Sequence, residues 1–173
     1  MRPPGVDWCN EFPTSTSLDD LVEPFRDSVK QFVEALRSAG AGVIVSATLR
    51  PRERAYLMHW CCQVADGYLP ASVPPMAGVD IDWTHGDDLG FAVQACRAMR
   101  YKYNIVHAPA LDSNHVRGLA IDMTVSWRGG IVVRDAHGVD HFCREQHDLW
   151  SIGATYGVRK LPSDPPHWSQ NGH

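Results

Sequence analysis

The run Ser113-Asn-His-Val-Arg-Gly-Leu-Ala-Ile-Asp122 sets the imidazole of His115 and the carboxylate of Asp122 seven residues apart, at the mouth of a strand. Further along, Asp164-Pro-Pro-His167-Trp168 supplies a second imidazole and a second carboxylate. Two imidazoles and one carboxylate form a catalytic zinc set, which keeps its fourth position for water. The remaining carboxylate, Asp164, is then the base. Water on zinc is acidified toward neutrality, so a nearby carboxylate needs only a modest shift to take its proton and later return it. The two prolines before His167 cannot continue a helix and predict an extended, threefold course that turns Asp164 and His167 the same way.

These residues also have plainer roles. Asp122 would pair with Arg50 or Arg117 without a metal, Asp164 would cap a turn, and His167 would be a hydrogen-bonded surface group. Against that, a mid-strand carboxylate flanked by Ile121 and Met123 is costly unless something positive holds it. Arg117 must reach it across a turn at Gly118, whereas that same turn brings His115 back over the strand.

The elements that must position these groups follow from periodicity. Residues 119–125 read as a strand with Leu119, Ile121, Met123 and Val125 on one face and Ala120, Asp122 and Thr124 on the other. Apolar positions recurring at three and four predict a helix over 19–39, ended by Gly40. A buried strand over 42–47 comes next. Pro51 opens a second helix to about Ala65, and Asp87 or Asp88 starts a third to about Tyr101. Residues 104–107 read as a strand, Gly129-Gly130 as a turn into a hairpin strand over 131–134, and 142–156 as a last helix closed by Gly157. Residues 1–17 form an irregular lead-in that Trp8 and Phe12 pack down. Residues 66–88 form a long loop with one extended piece at 79–83, long enough to lie near a cleft. Short strands mixed with helices, without a βαβ rhythm, indicate an α+β fold in a single domain of 173 residues.

Net charge is −4 and no run of Lys or Arg stands out, which argues against nucleic-acid binding driven by phosphate neutralisation. No apolar stretch approaches the length of a membrane span, so no membrane insertion is expected. The first residues carry no leader-like apolar core, so synthesis in the cytosol is expected. Cys9, Cys61, Cys62, Cys96 and Cys143 are odd in number and include no CxxC pair. They read as structural thiols rather than a disulfide framework or zinc ligands.

Taken together, the chain resembles the zinc peptidases that comprise D-alanyl-D-alanine carboxypeptidases and L-alanyl-D-glutamate endopeptidases, which share a fold with lysostaphin-type enzymes and the hedgehog signalling domain. The family pattern SxHxxGxAxD is met by Ser113, His115, Gly118, Ala120 and Asp122, and its closing acidic-x-x-His-Trp by Asp164, His167 and Trp168. Val45-Ser-Ala-Thr-Leu-Arg50 stands where the family has a strand ending in arginine, usually SGYRS. Order and spacing agree over residues 43 to 168.

The resemblance implies a small antiparallel sheet with flanking helices. It implies one Zn2+ on His115, Asp122 and His167, Asp164 as base, and Arg50 orienting substrate and stabilising charge on the scissile carbonyl. Ser113 would support the His115 loop, Trp168 with Trp83 or Trp127 would wall a groove, and His85 would line the cleft. His107 and His147 are read as packing or surface residues. Asp164 stands where the family commonly has Glu, and Pro51 follows Arg50 where a small polar residue is usual. Phage L-alanyl-D-glutamate peptidases share the aspartate, which favours that bond in bacterial peptidoglycan. The implied setting is a monomeric endolysin released by a holin, or an effector carried by a secretion system, acting at the cell wall or periplasm. A D-alanyl-D-alanine carboxypeptidase, a dipeptidase and a non-catalytic zinc-containing binding module are the other readings.

Overall fold

A computed structural model describes residues 1–173. In chain order the elements are α1 (Phe25–Ser38), β1 (Gly42–Ala47), α2 (Arg52–Ala65), α3 (Leu89–Lys102), β2 (Ala120–Ser126), β3 (Ile131–Arg134), β4 (Asp140–Cys143), α4 (Asp148–Thr155), β5 (Arg159–Lys160) and β6 (His167–Ser169). This is a mixed α+β architecture with a small antiparallel sheet and flanking helices. No helix is long and apolar enough to cross a membrane. Two compact units share the chain, residues 1–13 with 51–113 and residues 14–50 with 114–173.

The first unit is built on α2 and α3, whose facing sides bury Leu57, Cys61, Val64, Cys96 and Met99. Its N-terminal segment is more regular than an irregular lead-in: a 3-10 turn over Val6–Asn10 buries Trp8, and Arg2 pairs with Ile81. Asp88 caps α3 by accepting from the Phe91 amide at 3.0 Å. The strand expected over 104–107 does not form. Asn104 sits in the left-handed region, at φ 55°, and closes α3. Its amide donates to the Tyr101 carbonyl, and that of Ile105 to the Arg100 carbonyl, a Schellman pair that takes up the last helical acceptors. All five cysteines are free and buried, and burial pushes the Cys96 thiol up to about 12. They act as small core residues.

The second unit carries a four-stranded antiparallel sheet in the order β1-β2-β6-β5, with β3 and β4 as a separate hairpin. On β2 the alternation holds as the sequence predicts. Ile121, Met123 and Val125 enter a core with Phe25, Phe32, Leu36 and Ile152, whereas Ala120, Asp122 and Thr124 take the opposite face. Each fully buried side chain of this size stabilises the fold by about 1.5–3 kcal/mol, which fixes the strand's register and so the side on which Asp122 emerges. The helix predicted from 19 begins only at Phe25, because residues 18–20 form a 3-10 turn and Pro24, which has no amide hydrogen, takes the N-cap position. The helix expected over 142–156 is shorter for a similar local reason. Phe142 and Cys143 zip to Val132 and Ile131 in the hairpin, and the Asp148 carboxylate holds the amides of Arg144 and Glu145 in a turn before α4.

Candidate metal centre

Strand register creates the first half of the site. Asp122 pairs with Ala47 on β1 across a bulge, and stands directly opposite His167 on β6. Residues facing each other across an antiparallel pair have Cβ atoms only about 4.5–5.5 Å apart, so carboxylate and imidazole must meet. The next residue on β6, Trp168, points the other way into the core. Its indole lies 5.4 Å from the Phe32 ring and so close beneath Gly153 of α4 that a Cβ there would come within 2.8 Å. Trp168 is 2% exposed, so it is first an anchor of the strand that presents His167, and only its edge reaches a surface cavity lined by Lys160, Pro165 and Pro166.

A turn supplies the third group. The amides of Gly118 and Leu119 bond back to the carbonyls of His115 and Asn114, at 3.3 and 2.8 Å. Gly118 has φ 70°, and a Cβ on it would stand 2.9 Å from Val22 Cγ2, so both conformation and space require glycine. His115 is thereby folded over Asp122. The Arg50 amide donates to the His115 carbonyl at 3.0 Å, and His115 Nδ1 donates to the Thr48 carbonyl at 2.8 Å. Thr48 is itself fully buried, with its hydroxyl on the Ser17 carbonyl and its amide on the Ser15 carbonyl. The segment just after β1 is therefore a fixed shelf for the imidazole.

The result is a tight triangle. Asp122 Oδ1 lies 3.1 Å from His115 Nε2 and 3.0 Å from His167 Nδ1, and the two nitrogens lie 3.2 Å apart. His167 Nε2 faces the His173 carbonyl at 3.2 Å. Both imidazoles are buried, and Asp122 is partly so. Because each ring donates its outward N–H to a carbonyl, each neutral ring turns a lone pair inward, toward a carboxylate oxygen and toward the other ring. Three acceptors at such distances repel unless a cation or a proton joins them.

The donor set fits zinc. Zn–N and Zn–O bonds of about 2.0–2.2 Å place tetrahedral ligand atoms roughly 3.3 Å apart, close to the separations seen here. Backbone carbonyls on the outward N–H groups are the usual outer partners of metal-bound imidazoles. His115, Asp122 and His167 are thus a candidate metal-binding triad.

Without a metal, a proton fills the same place and the inward nitrogens donate to Asp122. Burial alone would lift the Asp122 carboxyl, but hydrogen bonds and charge from the two imidazoles outweigh it and hold the group well below the usual carboxylate range. Burial works against a charged His167, yet the bond to Asp122 and its charge prevail and raise the imidazole above its ordinary value.

The other predicted residues are placed as follows. Asp164 is exposed and stands in a turn, not in an extended threefold course: its carbonyl accepts from the His167 amide at 3.1 Å. The Lys160 ammonium donates to the carbonyls of Leu161, Asp164 and His167, and this convergence draws the proline segment into a turn. The negative charge of Asp164 is felt by both His167 and Lys160. Arg50 follows the Thr48 shelf. Ser113 closes the segment of the first unit that precedes Asn114. His85 also belongs to the first unit, where it stacks on Phe91 with centroids 5.6 Å apart, and Trp83 donates to the Tyr56 hydroxyl there. Trp127 packs partly buried against the core of the second unit.

Sequence reasoning missed Thr48, Asn114, Lys160, Ser169 and His173. Thr48 and His173 act through main-chain carbonyls, which carry no residue-type signal. No protein-family model matches the chain, and no curated protein matches it.

Proposed function

We propose that this chain is a zinc-dependent peptidase that hydrolyses a stem-peptide amide of bacterial peptidoglycan, with the L-alanyl-D-glutamate bond as its target. The observation that carries the reading is the convergence of one carboxylate oxygen and two imidazole nitrogens, each ring fixed by a carbonyl on its far side. The motif order that brings Arg50 before this set and Asp164 beside its last member supports the peptidase assignment and, with it, a fold of the hedgehog and D-alanyl-D-alanine peptidase type.

In this reading His115, Asp122 and His167 hold the ion. Zn2+ bound there supplies Lewis acidity to the scissile carbonyl and to water, bringing water's ionisation toward neutral pH. Asp164 takes a proton from the attacking water and delivers it to the leaving amine. Arg50 orients the substrate and offsets negative charge on the carbonyl oxygen, a role suited to a guanidinium that stays charged at any working pH. A monomer released by a holin or carried by a secretion machine would meet this substrate at the wall.

Zinc-loaded protein incubated with Gram-negative peptidoglycan should release fragments with new N-terminal D-glutamate, identified by mass spectrometry. Asp164→Ala should abolish release while one zinc per chain remains bound, and retained turnover would remove Asp164 from its role. Loss of terminal D-alanine alone would move the enzyme to the carboxypeptidases. No product from zinc-loaded protein would shift the reading to a cytosolic dipeptide or to a binding module.

A further inference from the structure

The turn after β6 is tied to the metal centre by bonds that the ligand set does not require. Gln170 donates its amide to the Leu119 carbonyl at 3.0 Å, and its own carbonyl accepts from Arg159 Nη1 at 2.7 Å. The chain then reverses through Gly172, at φ 82°. The fully buried Ser169 hydroxyl accepts from the amides of Gly172 and His173, at 2.9 and 3.0 Å, so both of its acceptor sites are used. Its own hydrogen has two candidate acceptors, the His173 carbonyl at 3.0 Å and Asn171 Oδ1 at 3.2 Å.

Asn114, the residue before His115, reaches the same place from the other motif. Its Nδ2 donates to the His173 carbonyl at 2.6 Å and to Asn171 Oδ1 at 2.7 Å. The His173 main-chain oxygen therefore accepts from Asn114 and from His167 Nε2, while Ser169 holds the same residue by its amide and stands 3.0 Å from that oxygen. A neutral imidazole carries one N–H and one lone pair, and the partner of one nitrogen decides the role of the other.

We propose that Asn114 and Ser169 are positioning residues which, through the His173 carbonyl, lock the proton of His167 on Nε2 and so commit Nδ1 to the metal. This rests on the metal-centre reading and extends it: the Ser169–His173 turn is a latch that couples the two ligand motifs. Asn114 sits at the root of the first and the latch follows the second, so neither histidine is placed independently of the other.

The probe is Zn2+ itself, titrated into metal-free full-length protein against a chromophoric chelator. Wild type should bind one ion, and Asn114→Ala should bind it about 10-fold more weakly, the low end of the effect of losing an outer partner of a metal-bound histidine, because Asn114 acts through that partner. Asn114 is only half-buried, so this variant should fold, and unchanged thermal unfolding of the metal-free form will show that it has. Ser169→Ala is the second variant, with the same expected direction. Nitrogen-15 spectra of the metal-free protein at alkaline pH supply a readout that a merely structural role would not move. His167 should be the Nε2–H tautomer in wild type and a mixture in Asn114→Ala. Zinc affinity within about twofold of wild type, or an unchanged tautomer, overturns the latch. A wild type that takes up no zinc overturns the metal centre itself, and the two failures are thereby distinct.

Discussion

His115 and His167 meet through different nitrogens: Nε2 of the first lies 3.2 Å from Nδ1 of the second, with Asp122 Oδ1 close to both. The difference follows from what stands behind each ring. The Thr48 carbonyl takes the Nδ1 proton of His115, and the His173 carbonyl takes the Nε2 proton of His167. One ring is fixed from the β1 side of the sheet and the other from the turn beyond β6. The lone pairs that remain have one place to point, and a proton and a divalent cation compete for it.

Replacement of the shared acceptor tests that competition. Asp122→Asn removes the anionic ligand and leaves two imidazoles, so zinc affinity should fall by more than the roughly 100-fold that marks loss of an outer partner. Chelator competition measures it. The change also removes the charge that raises His167, so the His167 imidazole should titrate at lower pH in the variant, which proton NMR follows directly. Wild-type zinc affinity in Asp122→Asn would take this residue out of the ligand set.

The two occupants have opposite pH dependence. His167 is raised in the folded protein, so its contribution is complete below the ordinary histidine value of about 6.5 and is lost as pH rises through the raised value. Asp122 is depressed, so its contribution is present above the ordinary aspartate value of about 3.9 and is lost as pH falls through the depressed one. Metal-free protein should thus be favoured in the weakly acid window, and its Tm should fall as pH rises from the ordinary histidine value through the raised one. Zinc must displace the His167 proton, so the Tm increment it confers should grow over the same interval. Thermal melts with and without zinc across that range decide the matter. An increment independent of pH would exclude His167 as a ligand.

The candidate triad was legible because its chemistry is local in sequence terms. A carboxylate on the polar face of an otherwise apolar strand must be answered by something, and the turn at Gly118 dictates where His115 can go. The alternation of β2 was equally plain. What could not be read was the backbone's share. Asn104-Ile105 has the composition of a strand start, yet its amides finish α3. Pro165-Pro166 suggested an extended course, but the Lys160 ammonium gathers the carbonyls on either side of it. That Trp168 is chiefly a core anchor could not be read either, because the strand parity of β6 is set only once His167 pairs with Asp122. In each case a main-chain partner, not the pattern of side-chain types, decided the conformation.

Gly118 offers a test of the turn that aims His115. In Gly118→Ala the left-handed backbone costs about 1–2 kcal/mol, and crowding against Val22 adds about 1–3 kcal/mol. Gly129→Ala is the natural control, since Gly129 has nearly the same φ, 69°, with nothing near its missing Cβ. Urea unfolding should therefore show Gly118→Ala as the more destabilised of the two. Zinc affinity should drop only in Gly118→Ala. Equal destabilisation would mean that the approach of Val22 relaxes at no cost and that the turn tolerates a side chain.

Lys160 offers a way to separate the candidate triad from Asp164, the base of the proposed reaction. Its ammonium bonds to carbonyls on both sides of Asp164, and burial lowers its pKa without removing its three acceptors. Lys160→Met keeps the aliphatic stem beside Trp168 but leaves those carbonyls without their charged donor. Hydrogen bonds to charged groups contribute about 1.5–3 kcal/mol, so chemical denaturation should show a loss of that order. His167 is also held by its pairing with Asp122 and by the His173 carbonyl, so zinc affinity should change only a few-fold. The turn at Asp164 keeps only main-chain bonds, from its amide to the Leu161 carbonyl and from the His167 amide to its own carbonyl. Without the charged donor, cleavage of peptidoglycan fragments should fall about tenfold in kcat, a loss of about 1.4 kcal/mol at the transition state. Zinc binding and turnover that decline in parallel would instead make Lys160 part of the support for His167. Unchanged turnover would show that Asp164 does not depend on the turn for its position.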